Sequence, residues 1–110
     1  MEIKRTSHKR SDVVSTSGRI DSSNADELFD FFKAINEEDR FNIIFDMSEV
    51  NFMSSKGWWV LIETQKACKA KSGEVVLLDV QEKIVESLNL VGMTDYFKTF
   101  SDLTEAVGSF

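Results

Sequence analysis

The stretch that most constrains the fold of this chain runs from Ile43 to Ile62, because it passes from an apolar run through a polar loop into an amphipathic segment. The apolar run, residues 41–45, has the length and composition of a buried β-strand. The amphipathic segment opens at the adjacent serines Ser54 and Ser55. A strand, a loop and a helix in this order leave both hydroxyls at a helix N-terminus, where free backbone N–H groups and the positive end of the helix dipole gather. We therefore expect the rest of the chain to be a scaffold that presents this loop to a partner.

Composition bounds the size and class of the protein. The 110 residues, 42% hydrophobic and 11% aromatic, predict a single domain over residues 1–110 with a real core. Thirteen basic and nineteen acidic residues give a net charge of −6, which argues against nucleic acid or an anionic membrane surface as the main partner. The first residues lack the apolar core of a signal peptide, and no apolar run approaches the roughly 18 residues of a membrane span. We expect a cytoplasmic protein without direct membrane insertion.

The chain offers little for a cofactor, metal or catalytic site. A single histidine, His8, and a single cysteine, Cys68, fall short of any zinc-site spacing and allow no internal disulfide. Neither a Gly-x-Ser-x-Gly motif nor a phosphate-cradling glycine-rich loop is present. Side chains at neighbouring helical positions diverge by about 100°, which argues against a catalytic pair of Ser55 and Lys56. We expect no enzymatic activity, no cofactor and no metal ion.

Hydrophobic periodicity predicts the element order β-β-α-β-α-β-α-β-α. Strands are expected within residues 1–6, 12–20, 41–45, 74–79 and 96–100, the first two as a hairpin. The four helices are predicted from the apolar faces Leu28/Phe31/Phe32/Ile35, Trp58/Leu61/Ile62/Gln65/Cys68, Ile84/Val85/Leu88/Val91 and Leu103/Ala106/Val107/Phe110. Because helices alternate with short buried strands, we expect an α/β fold with a mixed, mostly parallel sheet of about five strands and helices packed against it.

Capping residues indicate where the predicted helices begin and end. Ser23 and Asp26 resemble a capping box before the first helix. Gly73 is a natural C′ residue for the second helix, and Ser101 is the expected N-cap of the last one.

Two features are expected beside the loop. Trp58 shares a helix face with apolar residues and belongs in the core, whereas Trp59 points toward solvent or against the first helix. An exposed tryptophan there is a candidate interface anchor. Residues 21–24 end a neighbouring strand, and in a parallel arrangement they lie at the same edge of the sheet as Ser55. They are either simple helix caps or a second patch of a partner-binding surface.

The element order and the loop Phe45-Asp-Met-Ser-Glu-Val-Asn-Phe-Met-Ser-Ser-Lys-Gly57 resemble the STAS domain family of anti-sigma factor antagonists. That family has an aspartate after the third strand, then a hydrophobic residue and Ser or Thr, and Phe-Ile-Asp-Ser-Ser-Gly before the next helix. The matching loop residues are Asp46, Met47, Ser48, Val50, Phe52, Met53, Ser55 and Gly57. Residues 17–21 with Ala25 and Leu28, and residues 88–93 with Phe97, resemble further parts of the family, so the likeness covers nearly the whole chain.

The resemblance implies a partner switch centred on Ser55. The unmodified domain is expected to bind an anti-sigma factor that is also a serine kinase of the histidine-kinase-like ATPase fold. Phosphorylation of Ser55 ends this binding, and a serine phosphatase restores it, so the chain is expected to be a signalling phosphoprotein that regulates transcription. The expected partner-binding residues are Asp21, Ser22, Ser23, Asn24, Met53, Ser54, Lys56, Gly57 and Trp59.

Two loop residues depart from the family pattern. Ser54 stands where the family has an aspartate, and Lys56 stands where a second small residue is usual. From the sequence alone both serines are interpreted first as helix caps, and this is compatible with the switch if Ser54 caps and Ser55 points outward. The alternative function is a scaffold of the same fold that is not phosphorylated, such as the small cytoplasmic subunit of a lipid-transport ABC complex or part of a signalling assembly.

Overall fold

The computed structural model describes residues 1–93 and 95–110. The strands in these residues are β1 (Ile3–Ser7), β2 (Asp12–Thr16), β3 (Gly18–Ile20), β4 (Asn42–Asp46), β5 (Val50–Met53), β6 (Glu74–Leu78) and β7 (Thr99–Phe100). The helices are α1 (Ala25–Glu37), α2 (Ser55–Lys69), α3 (Glu82–Leu90) and α4 (Leu103–Gly108). The predicted order is confirmed apart from two additional short strands, β3 and β5, and a last strand that is shorter than expected.

One mixed sheet forms the centre of the molecule, with the strand order β1-β2-β4-β6-β7. β1 is antiparallel to β2, and the other neighbours are parallel. Ile43, Ile44 and Phe45 of the central strand β4 are all buried, because a strand covered on both faces needs a continuous apolar run. The predicted sheet of about five strands, mostly parallel, is therefore confirmed.

The two faces of the sheet are covered by different helices. Since side chains alternate along a strand, Ile43 and Phe45 belong to the core cluster that includes residues of α1, α2 and α3, while Ile44 packs in a second cluster with Ala106 of α4. The buried helix residues of the first cluster include Leu28, Phe32, Ile35, Trp58, Leu61, Ile84 and Leu88. The predicted faces of α1 and α2, with Ile84 and Leu88 of α3, thus supply the main core. Val91, just after α3, and Leu103 of α4 were expected on buried faces, and this is wrong, since they are 41% and 43% exposed.

The continuous strand predicted over residues 12–20 is wrong, because the chain leaves β2 at Ser17. Gly18 has φ +87°, a left-handed conformation that glycine adopts without steric cost. β3 then pairs in parallel with β5 as a separate two-stranded sheet, in which Ile20 lies opposite Met53. The loop that was predicted between β4 and α2 is therefore partly a strand and is held by β3.

A buried carboxylate stabilises the N-terminal hairpin at the end of the sheet opposite to the start of α2. Asp12 has no exposed surface and accepts hydrogen bonds from Arg40 Nε at 2.6 Å, Ser7 Oγ at 2.7 Å and Arg5 Nε at 3.0 Å. Burial opposes ionisation of this carboxyl, but the three donors outweigh it and hold the pKa of Asp12 below its usual range. Arg5 also pairs with Glu38 at 2.8 Å, and this contact lowers the pKa of Glu38.

The capping box predicted for the first helix does not form. Asn24 is the N-cap of α1, and its side chain makes no capping hydrogen bond. The Ser23 hydroxyl donates to Asp21 Oδ1 at 2.5 Å instead of capping a helical N–H group. Asp26 lies in the first turn, where its negative charge suits the helix dipole.

The end of α2 and the start of α4 also differ from the prediction. Ser72, with φ 63°, takes the left-handed conformation expected of Gly73. Gly73 is required for another reason, since a Cβ there would collide with the carbonyl oxygen of Phe41. Asp102 rather than Ser101 caps α4, where its carboxylate accepts a first-turn N–H.

Cys68 lies on the buried face of α2, with the side-chain nitrogen of Asn36 at 3.7 Å from its sulfur. Burial raises the pKa of this thiol to about 11. In residues 1–93 and 95–110 there is no cluster of three or more His, Cys, Asp and Glu side chains that could hold a metal ion. The helices of the same residues are too short or too polar to cross a membrane.

Candidate functional site

The two adjacent serines divide their roles at the start of α2. Ser54 is the N-cap, with an extended backbone, and its Oγ accepts the backbone N–H of Gly57 at 3.2 Å. Ser55 is the first helical residue and is exposed. The expected arrangement, in which Ser54 caps and Ser55 points outward, is what the structure contains.

The start of α2 rests directly on the small β3–β5 sheet. The backbone N–H of Ser54 donates to the carbonyl oxygen of Ile20 at 2.9 Å. Gly57 allows the close approach, because a Cβ at this position would lie 2.6 Å from Met53 Sδ. The position of Ser55 relative to β3 is therefore fixed by a hydrogen bond and by packing.

Residues of α3 and its N-cap support the same loop and the start of α2. Gln81 Nε2 donates to the carbonyl oxygens of Val50 at 2.7 Å and Ser48 at 3.3 Å. Trp58, buried as predicted, donates its indole N–H to Ser87 Oγ at 2.9 Å. Sequence reasoning missed Gln81 and Ser87, because nothing local distinguishes them from other polar residues at a helix start or on a helix surface.

Lys56 and Trp59 form a cluster with residues of α1. Lys56 Nζ lies 3.4 Å from Asp26 Oδ1 and 4.6 Å from the centroid of the Trp59 ring. Trp59 is 43% exposed and contacts Phe29 edge to face, with 5.2 Å between ring centroids. Both positions expected for Trp59, in solvent and against the first helix, are thus realised together. We refer to Asp26, Phe29, Lys56 and Trp59 as the α1–α2 cluster.

The turn of residues 21–24 follows β3 and lies beside the start of α2, at the edge where sequence reasoning placed it. Asp21 Oδ1 accepts the hydroxyl of Ser23 at 2.5 Å and its backbone N–H at 2.9 Å, and these bonds lower the pKa of Asp21. Asn24 Oδ1 accepts the backbone N–H of Asp21. The side chains therefore shape the turn itself, while Ser22 and Ser23 remain exposed.

Arg19 and Phe52 form a further exposed pair that sequence reasoning missed. The guanidinium carbon of Arg19 lies 4.0 Å from the centroid of the Phe52 ring, and Phe52 is 38% exposed. Arg19 Nε is also 3.8 Å from Asp21 Oδ2. The pair follows from the pairing of β3 with β5, and without that pairing no signal in the sequence connects the two residues.

The predicted partner-binding residues do not all reach the surface. Met53 is only 4% exposed and Gly57 is buried, so these two shape the surface from beneath. The others are at least partly exposed and lie at or next to the start of α2: Asp21, Ser22, Ser23, Asn24, Ser54, Lys56 and Trp59.

Comparison with known proteins gives one family and one fold. The sequence model of the STAS domain family matches residues 3–106. An anti-sigma factor antagonist from Mycobacterium paratuberculosis superimposes with a TM-score of 0.86 at 23% identity, covering 98% of this chain and 92% of that one. A Thermotoga maritima protein proposed to be an anti-sigma factor antagonist gives a TM-score of 0.90 at 17% identity, covering 97% and 92%. The Bacillus cell-fate determinant SpoIIAA in its phosphorylated form gives 0.76 at 16% identity, covering 98% of each chain. At these identities the structural likeness concerns the fold.

Proposed function

The chain belongs to the STAS domain family, and on that premise we propose that it is a partner-switching regulator of the anti-sigma factor antagonist type. In the unmodified state it binds an anti-sigma factor that is also a serine kinase of the histidine-kinase-like ATPase fold. Phosphorylation of Ser55 ends this binding. The observation that carries the proposal is the exposed hydroxyl of Ser55 at the first residue of α2, beside a different serine that already serves as the cap. Proteins of the same fold include an anti-sigma factor antagonist and the phosphorylated SpoIIAA.

The proposed chemistry requires little from this chain. The kinase transfers the γ-phosphoryl group of ATP to Ser55: a bond forms between Ser55 Oγ and the γ-phosphorus, the bond to the β-phosphate oxygen breaks, and ADP and the hydroxyl proton leave. A serine phosphatase returns the hydroxyl by hydrolysis, with inorganic phosphate as the other product. We place both reactions in the cytoplasm. When the unmodified chain binds the anti-sigma factor, the sigma factor is released, and this release links both reactions to transcription.

Phosphorylation is expected to act on the interface and to leave the fold intact. A phosphate adds about −1.5 to −2 charges at neutral pH. At Ser55 it meets the free N–H groups and positive dipole end of α2, which favour an anion. In a partner interface the same anion must be desolvated, which costs several kcal/mol. Because about 1.4 kcal/mol already changes affinity tenfold, this cost is enough to end binding. Electrostatics rather than unfolding therefore makes the switch.

The proposed partner surface surrounds Ser55. It consists of the turn of residues 21–24 on one side and of Ser54, Lys56 and Trp59 on the other, with Met53 and Gly57 beneath. Trp59 is the expected anchor, because exposed tryptophans are enriched among residues that dominate binding energy.

Phosphosite mapping tests the proposal. The purified chain is incubated with ATP and its cognate kinase, and the modified peptide is identified by mass spectrometry. We expect one phosphate on Ser55. A phosphate elsewhere, or none, contradicts the proposal. Ser55→Ala should retain binding to the kinase, and Ser55→Asp should weaken it.

Lys56 favours a second candidate function. The resemblance expects a small residue at this position, and here the Lys56 ammonium is paired with Asp26 next to Ser55. A constitutive scaffold, such as the small cytoplasmic subunit of a lipid-transport ABC complex or part of a signalling assembly, needs no phosphorylation. Co-purification separates the two functions, since a transporter ATPase among the partners supports the scaffold and a serine kinase supports the switch.

A further inference from the structure

Lys56 follows Ser55 directly in the sequence and contacts Asp26 of helix α1. We propose that phosphorylation of Ser55 draws the Lys56 ammonium from Asp26 and the Trp59 ring onto the phosphate, so that the modification is transmitted to the α1–α2 cluster. This inference rests on the proposed phosphorylation of Ser55 and adds an internal response to it.

The present contacts of Lys56 are of the kind that exchange readily. The side chains of Lys56 and Asp26 are 40% and 76% exposed, and exposed ion pairs are weak because water competes for both partners. Their 3.4 Å separation is longer than the roughly 2.7–2.9 Å of a good charge-assisted hydrogen bond. The contact with Trp59, at 4.6 Å to the ring centroid, is a cation–π interaction at an exposed position. Both of these contacts of Lys56 can therefore break without a large rearrangement.

A phosphate on Ser55 is the stronger competitor for the ammonium. It carries about −1.5 to −2 charges and three acceptor oxygens, against a single charge on the Asp26 carboxylate. Ser55 and Lys56 are adjacent, as the first two residues of α2. Their Cβ directions diverge by about 100°, which separates short side chains, but the flexible four-carbon stem of a lysine can cross that gap.

The exchange changes two groups at some distance from the modified oxygen. One face of the Trp59 ring loses its cation, and Asp26 loses its ion-pair partner. Trp59 is one helical turn beyond Lys56 and keeps its edge contact with Phe29. Phosphorylation thereby alters the exposed surface on both α1 and α2, in addition to the charge that it places at Ser55.

The experiment uses the chain of residues 1–110 with phosphoserine built into position 55 during translation, so its outcome does not depend on a kinase. The first readout is the second pKa of the phosphate from a ³¹P NMR titration, and the second is the change in tryptophan fluorescence on phosphorylation. Lys56→Gln removes the ammonium group that is proposed to move onto the phosphate. Lys33→Gln is the matched control, because Lys33 Nζ lies 5.2 Å from the Phe29 ring centroid of the same cluster but is remote from Ser55 in sequence. Trp59→Phe identifies the signal of Trp59 against that of the buried Trp58.

We expect the phosphate pKa to be lower in the wild-type protein than in Lys56→Gln, because a nearby ammonium favours the dianion, with Lys33→Gln like the wild type. Phosphorylation should change Trp59 fluorescence in the wild type and in Lys33→Gln, and the change should be lost in Lys56→Gln. Equal phosphate pKa values in the wild type and Lys56→Gln, or a fluorescence change that survives Lys56→Gln, overturn the inference. Failure of a kinase to modify Ser55 would overturn the proposed function alone.

Discussion

The backbone N–H of Ser54 donates to the carbonyl oxygen of Ile20 at 2.9 Å, which joins the end of β3 to the start of α2. Ile20 is followed directly by the turn of residues 21–24, and Ser54 is followed by Ser55. Together with the parallel pairing of β3 and β5, this main-chain hydrogen bond places the two halves of the proposed partner surface side by side.

Ser54→Ala should destabilise the protein by about 1 kcal/mol, because it removes the side-chain acceptor that caps α2. Urea unfolding followed by circular dichroism measures the loss. Ser55→Ala is the matched control, since the exposed Ser55 has no capping role and its substitution should change stability by less than about 0.5 kcal/mol. Equal losses in the two variants would show that the capping assignment is wrong.

Asp12→Asn should destabilise the protein strongly, because it removes the charge that Arg5 and Arg40 share. Breaking a buried ion pair costs about 3–5 kcal/mol, and we expect the lower end because both arginines remain partly exposed. Glu38→Gln is the control. It removes a carboxylate that is 53% exposed, and its loss of stability in urea unfolding should be clearly smaller than that of Asp12→Asn, because water already solvates an exposed ion pair. The opposite order of losses is incompatible with Asp12 as the centre of the group.

The stability of the wild-type protein should fall in acid partly through Asp12. Its pKa is lower in the folded protein than the value of about 3.9 for an unfolded chain, so its contribution is complete above about pH 4. The contribution is lost as the pH falls through the folded pKa. The free energy of unfolding of the wild type and of Asp12→Asn is measured at pH 6 and at pH 3. The difference between the two proteins should be smaller at pH 3 than at pH 6. A difference that is independent of pH contradicts the assignment.

Trp59→Ala should weaken binding of the proposed kinase partner by about 2 kcal/mol, or roughly thirtyfold, if Trp59 anchors the interface. Isothermal titration calorimetry with the unmodified protein measures the change. Leu103→Ala is the control, because Leu103 is also 43% exposed but lies on α4, on the other face of the main sheet. A loss of affinity in Leu103→Ala as large as that in Trp59→Ala would place the interface elsewhere.

The main sheet and the helices could be predicted because their patterns are local. The continuous apolar run of β4 and the helical spacing of the buried α2 residues each fix one element without reference to the rest of the chain. β5 lacks such a pattern, since Val50 and Met53 are buried while Asn51 and Phe52 between them are exposed. Its strand conformation depends on pairing with β3, which lies about 30 residues earlier.

For the candidate site, the place of Ser54, Ser55 and residues 21–24 in the fold could be predicted from the sequence, but their contacts could not. The turn of residues 21–24 offers four side chains that can cap a helix, so local sequence could not select Asn24. The partner of Lys56 is Asp26, on another helix, and only the packing of α1 against α2 brings them together. The same packing sets the contact between Trp59 and Phe29.

The chain's single thiol makes the protein convenient for site-specific labelling. Maleimides react with the thiolate, and Cys68 is buried and stays protonated at neutral pH because its pKa is raised to about 11. A second cysteine introduced at the exposed Ser22 would therefore take up a fluorophore while Cys68 remains unmodified. Such a probe would stand on the turn beside Ser55 and could report partner binding without removal of any native residue from the core.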